Sequence, residues 1–301
     1  MITRRRVLKL LGAGLATLVA TAAYPFVEVL GSPFVTRYPL TPRGWTPGLK
    51  LRVAVLTDFH ACEPWMTLQR VDSICAQAQA LEPDIILPLG DYVPGAMRFV
   101  TKHFAASDWA ASLGKLQAPL GVHAVLGNHD YWEDRAYQRD STVLPFVVEA
   151  LRGAGISTHV NEAVRLEKDG HAFWLAGLGD QLALRPNSSA GRPRLTGIDD
   201  LEGVLASIPD EAPVLLMAHE PDIYPSVPER VSLTLSGHTH GGQVNIFGWR
   251  PVAASAGSRP YPAGYFNEGG RELIVSRGLG CSGLPIRFGS WPEIVLLELG
   301  A

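Results

Sequence analysis

Apolar and polar positions alternate in short blocks along most of the chain, but one early block differs in kind. From Leu10 to Val27, 18 residues pass without a charge, after a basic start at Arg4, Arg5, Arg6 and Lys9. An apolar run of that length with no polar face sits at the lower edge of a membrane span and exceeds an ordinary signal core. Residues 31–50 follow, with four prolines and three glycines that break helix and central strand alike. They predict an extended linker. At Leu51 the pattern becomes that of a folded domain. "LRVAVLT" predicts a buried strand, Val71, Ile74, Cys75, Ala78 and Leu81 recur at helical spacing, and "DIILPLG" predicts a second strand. This is a βαβ unit. Further apolar runs at "VHAVLG", "PVLLMAH", "VSLTLSG", "ELIVSRG" and "EIVLLEL", with an Asp-Gly turn inside "VRLEKDGHAFWLAG", predict stacked sheets with outer helices. The chain therefore divides into an N-terminal apolar segment (1–30), a linker (31–50) and one domain (51–301).

Composition narrows the chemistry. With 301 residues, 47% hydrophobic and 18% charged, the chain is long enough to bury a large core. A net charge of -3 and a pI near 6.3 give no basic surface of the kind that binds nucleic acid. Cys62, Cys75 and Cys281 are odd in number and widely spaced, so they read as packing thiols rather than as a disulfide frame or zinc site. Thr3-Arg4-Arg5-Arg6-Val7-Leu8-Lys9 resembles a twin-arginine export signal. Basic charge ahead of the span keeps the N-terminus in the cytoplasm and predicts an extracytoplasmic domain, exported or anchored in the cytoplasmic membrane. Ala20-Thr21-Ala22 offers a cleavage site, and the sequence leaves cleaved signal and retained anchor both open.

Five of the predicted strands end in a short group able to bind metal: "TDFH" (Asp58, His60), "GDY" (Asp91), "GNHD" (Asn128, His129, Asp130), "AHE" (His219) and "GHTH" (His238, His240). One such group alone is more often a turn or cap. Five in order point to a joint site at the edge where the strands end. His103, His123, His159 and His171 lie outside these groups and read as surface or packing residues.

The ordered set DxH, GD, GNH, lone His and GHxH resembles that of the calcineurin-like metallophosphoesterases. The longer strings "LGNHDYW", "SGHTHGGQV" and "RGLGCSGLPIRFGSWPEIVLLEL" are similar to those of a bacterial membrane-associated or exported phosphodiesterase-like branch. The resemblance implies an α/β fold, a four-layer αββα sandwich of two mixed sheets flanked by helices, with a dinuclear metal site at the sheet edge. It implies that Asp58, His60 and His240 hold one ion, Asn128, His219 and His238 the other, and that Asp91 bridges both. Two imidazoles and oxygen donors per ion suit Mn, Fe or Zn better than Mg or Ca. It further implies in-line attack on phosphorus by a metal-bridging hydroxide, with His129 contacting the phosphate or leaving oxygen and Asp130 orienting a protonated His129 ring. Asp130 has a second reading, as the N-cap of a helix beginning at Tyr131.

The implied activity is two-metal-dependent phosphoester hydrolysis, as a phosphodiesterase or pyrophosphohydrolase of a cell-envelope or lipid-linked phosphate. A metal-dependent phosphomonoesterase and a non-catalytic metal-binding scaffold are the alternatives. The Pro/Gly-rich aromatic stretch 247–269 is a candidate wall of the substrate cleft or a plain surface loop. Arg277 and Arg287 are candidates to clamp a second phosphate or to pair with surface carboxylates.

Overall fold

A computed structural model describes residues 3–187, 191 and 194–300; positions 1–2 and 301, at the outer ends of the expected segments, lie outside the described residues. Two mixed sheets stack at the centre. In the first, Phe34–Leu40, Glu293–Leu299, Leu51–Leu56 and Ile85–Pro88 lie side by side in that order. The second runs Gly264–Glu268, Arg271–Val275, Leu233–Ser236, Val214–Met217, His171–Gly177 and Glu162–Lys168, with parallel pairing through its middle four strands and an antiparallel strand at each edge.

Alternation along each strand explains the layers. Val53, Val55, Ile85 and Leu87 face inward against Phe173, Leu175, Leu215, Met217, Leu233 and Leu235 of the second sheet. Their neighbours Ala54, Leu56 and Ile86 face outward and bury Val71, Ile74, Ala78, Trp109, Leu113, Val147 and Leu151 from the helices Leu68–Gln79, Ala106–Leu113 and Phe146–Gly153. On the far side Ala176, Val214 and Leu216 cover Val204 of the short helix Leu201–Ala206. Strands buried on both faces read as continuous apolar runs, which is why they were visible in the sequence. The result is the four-layer αββα sandwich.

Residues 34–40 are extended, as a linker would be, yet they pair in parallel along their whole length with Glu293–Leu299. As an edge strand they need few apolar positions, so periodicity did not reveal them. The N-terminal helix, Arg4–Leu30, leaves the apolar side chains from Val7 to Val19 exposed, and its end is built into the domain. Glu28 there is buried and accepts backbone N–H bonds from Gly289 (2.9 Å) and Ser290 (3.2 Å).

Candidate metal centre

The five motif groups converge at the ends of strands from both sheets. Backbone bonds tie the loops together: Asp58 N–H to Gly90 O (3.0 Å), His60 N–H to Asp91 O (3.0 Å) and Gly237 N–H to His219 O (2.9 Å). Five of the seven expected ligands, Asp58, His60, Asp91, His238 and His240, have left-handed backbones with φ between 49° and 67°. Side-chain residues resist this conformation, which surrounding structure must hold. The glycines of the motifs have a steric cause. A Cβ on Gly127 would overlap the Asp91 carboxylate, and one on Gly237 would overlap Thr57 and Asp58.

Two clusters of buried donors result. Candidate ligand atoms of Asp58, His60 and His240 lie within 4.8 Å of one another, as do those of Asp91, His219 and His238. Asp91 Oδ2 stands between the clusters, 3.5 Å from His60 Nε2 and 3.3 Å from His219 Nε2. Asn128 Oδ1 is 3.0 Å from His238 Nδ1. The seven expected ligands thus lie together, with Asn128 beside the second cluster.

The donor chemistry fits cations. His60 Nδ1 lies 2.9 Å from Val93 O and His219 Nδ1 2.6 Å from Leu89 O, so each donates Nδ1–H to that carbonyl and turns Nε2 inward. Against burial, the Asp91 carboxylate raises His219 well above the usual imidazole range, so without a cation its Nε2 carries a proton. His60 Nε2 faces His240 Nε2 at 3.1 Å, an approach of two nitrogens that a shared proton or a cation must relieve. His238 Nε2 is buried with no hydrogen-bond partner among the described residues. Burial, with repulsion from His219, pushes His238 down to about 3, and burial likewise lowers His240. Both rings are therefore neutral and free to ligate. Burial alone would raise the Asp91 carboxyl, but His219, by charge and hydrogen bond, holds it well below the usual carboxylate range.

Asp130 departs from its expected role. Its carboxylate makes no bond to the His129 ring; it accepts N–H bonds from Asp91 (2.9 Å), Tyr92 (2.9 Å), Val93 (3.3 Å) and Gly127 (2.9 Å). It pins the loop that carries Asp91. The helix is Asn128–Trp132, so Asp130 lies within its first turn and Gly127 is the N-cap. His129 donates its backbone N–H to Asp91 Oδ1 (2.9 Å), while its ring stands beside the cluster with Nε2 3.3 Å from Ser282 Oγ. Burial pushes that imidazole down to about 4, so it is neutral in the free site and not the protonated ring expected.

A cleft of about 480 Å³ opens over the clusters, with Asp91, Asn128, His129, His238 and His240 at its floor. Trp132, Val252, Leu284 and Ile286 contribute apolar walls. The stretch 247–269 thus does wall the cleft, through Pro251–Ala254, whereas sequence reasoning passed over Trp132 and Ile286. Trp132 carried a signal, four residues after Asn128 and so on the same helical face. Neither arginine clamps the cleft. Arg277 pairs with Glu293 (2.8 Å), and Arg287 is fully buried behind His240, spending its donors on Gly280 O, Ser290 O, Arg277 O and His240 Nδ1. Cys62 and Cys281 are free thiols that pack with Val29 and Met97, and Cys75 lies in the helix-side core.

Residues 51–242 match the family model of calcineurin-like phosphoesterases. The chain is 32% identical to the phosphodiesterase YaeI of Escherichia coli, over 99% of this chain and 100% of that one. It is 27% identical to the metallophosphoesterase YkuE of Bacillus subtilis, over 99% and 97% respectively. A Bos taurus transmembrane protein with a metallophosphoesterase domain is 28% identical over 89% of this chain and 57% of its own length. Among solved structures, a dimetal phosphatase from Danio rerio aligns at 14% identity with a TM-score of 0.43, covering 76% of this chain and 88% of that one.

Proposed function

The chain belongs to the calcineurin-like phosphoesterases and is a metal-dependent phosphoester hydrolase with a dinuclear divalent metal site, and from that premise we propose that it cleaves phosphodiesters or pyrophosphate-linked molecules of the cell envelope or lipid pool. Asp58, His60 and His240 would hold one ion and Asn128, His219 and His238 the other, with Asp91 between them; the mixed nitrogen and oxygen donors favour Mn, Fe or Zn. Bound there, the ions supply Lewis acidity at a phosphoryl oxygen and acidify water.

The protein's own part is charge and position. The ligands carry only two negative charges, those of Asp58 and Asp91, so the loaded centre stays cationic and draws an anionic phosphoryl group to the floor. His129, fixed through its backbone by Asp91, presents a neutral imidazole able to hydrogen-bond a phosphoryl or leaving oxygen. The observation that carries the diester reading is the cleft lining, which contains no Lys or Arg among the described residues. Of the arginines around it, Arg250 turns its side chain toward Gly241 O and Gly248 O, and Arg185 stacks on Trp132 and pairs with Glu133. A monoester dianion would lack the extra cation that its second charge requires, whereas a diester monoanion needs none.

The exposed apolar helix Arg4–Leu30, with its basic start, supports a membrane anchor or twin-arginine signal for residues 1–30 and an extracytoplasmic domain over 51–301. The test of the activity compares kcat/KM for matched aryl phosphodiester and monoester substrates with full-length, Mn-loaded protein. A diester advantage is expected. A monoester advantage of about tenfold, worth ~1.4 kcal/mol in transition-state binding, would make the protein a phosphomonoesterase instead.

A further inference from the structure

The N-terminal helix sets a depth for the rest of the molecule. Its uncharged run Leu10–Val27 rises roughly 27 Å at about 1.5 Å per residue, close to the ~30 Å hydrocarbon core of a bilayer. The last turns of that run touch the domain. Tyr24 meets Phe288 edge to face (5.6 Å), Pro25 O accepts from Arg287 N–H (3.0 Å), and Glu28 receives Gly289 and Ser290 as described. With the helix in a membrane, residues 287–290 lie at the bilayer surface.

Both rims of the cleft are tied to that same segment. On one side, Phe288 exchanges backbone bonds with Gln243 (2.8 Å) and Asn245 (2.7 Å), which lead into a tight turn closed by Ile246 and Trp249 (2.9 and 3.0 Å). At its tip Phe247 is fully exposed and Trp249 is 63% exposed. On the other side, Phe26 packs on Trp65 (6.2 Å), whose Nε1 donates to Phe99 O (3.1 Å); Phe99 is 71% exposed. Arg98 N–H then bonds Gly283 O (2.8 Å), beside the half-exposed Leu284 that lines the cleft. Basic Arg98, Lys102 and Arg250 flank these aromatic tips in the sequence. Exposed aromatics beside Lys and Arg are the composition of a membrane-interface surface.

From this continuity we propose that the cleft mouth is seated on the lipid bilayer, the Phe99 loop and the Phe247–Trp249 turn entering the headgroup region. An amphiphilic phosphoester then enters from the leaflet. Its phosphate reaches the metal floor while an acyl or alkyl chain lies along Val252, Leu284 and Ile286. This rests on the phosphoester reading of the site and adds the source and class of the substrate.

The test uses full-length protein in phosphatidylcholine–phosphatidylglycerol vesicles. All three native thiols are buried, so Phe247→Cys can be labelled selectively with an environment-sensitive fluorophore. Nitroxide-bearing lipids should quench that label; a label that remains fully solvent-exposed overturns the proposal. In parallel, Phe99→Ser, Phe247→Ser and Trp249→Ser are combined, none of which lines the cleft. Hydrolysis of a vesicle-embedded alkyl aryl phosphodiester should fall at least about tenfold, while hydrolysis of a soluble aryl phosphodiester is unchanged, a selective loss of ~1.4 kcal/mol. Undiminished hydrolysis in vesicles overturns the proposal. If wild-type protein hydrolyses neither diester, the phosphodiesterase reading fails, and the depth of the label still reports on the surface.

Discussion

Replacing Asp130 by Asn separates the role read from the motif from the role found in the structure. Each carboxylate oxygen of Asp130 accepts two backbone N–H groups, Oδ1 from Tyr92 and Val93, Oδ2 from Asp91 and Gly127. An amide keeps one accepting oxygen and turns an NH2 group toward the other pair of donors. Two buried N–H groups lose their partner at about 1–3 kcal/mol each. Part of that returns, because burial and the nearby Asp91 push the Asp130 carboxyl up to about 7, a strained carboxylate that the neutral amide relieves. The net cost should be about 2 kcal/mol, lowering the Tm by several degrees. The loop carrying Asp91 would loosen with it, and affinity for divalent metal should drop roughly 10- to 100-fold, as for other lost partners of ligands. Thermal denaturation of full-length protein in detergent, with metal titration followed calorimetrically, measures both. An Asn variant with unchanged Tm and metal affinity but a slower rate would refute this reasoning and return Asp130 to orienting His129.

His129→Ala should retain both ions by elemental analysis and lower the diester rate by roughly 10² to 10⁴, the range of a lost acid–base or hydrogen-bonding group; an unchanged rate would remove His129 from the mechanism. Asp91→Asn should deplete metal at both positions together, since one oxygen stands between the two clusters; a variant that keeps two tightly held ions would contradict a bridge. The buried pair His123–His159, joined at 2.9 Å, gives a pH dependence. Burial, and then repulsion from His123, pushes His159 down to about 4. Below the unfolded pKa of about 6.5 the unfolded chain gains a proton that the folded one refuses. Stability should thus fall as pH drops from about 6.5 to 4, by at most about 3 kcal/mol from His159, and chemical denaturation of His159→Gln should show a shallower slope across that window.

The stacked sheets with outer helices, and the edge where the motif groups gather, were legible in the sequence because buried strands are continuous apolar runs and five of them end on such a group. What stayed hidden depends on contacts between distant segments. Phe34–Leu40 pairs with a strand more than 250 residues away. Asp130 sits beside His129 in the chain, yet its carboxylate turns toward the Asp91 loop, and neighbourhood in sequence does not report side-chain direction. Arg287 read as a phosphate clamp or a partner of surface carboxylates, because buried arginines are rare. Its guanidinium is pushed down to about 10 by burial and satisfied by backbone carbonyls that only the folded loop 276–290 brings together.

As the proposed phosphodiesterase, the protein should work only when two divalent ions occupy the Asp58–His60–His240 and Asn128–His219–His238 groups on either side of Asp91. The most direct test is a titration of Mn into chelator-stripped full-length protein, with bound metal and aryl phosphodiester hydrolysis measured on the same samples. Hydrolysis should be absent at the start and reach its maximum as the second equivalent binds. Activity in the stripped protein, or a plateau at one equivalent, would contradict the account.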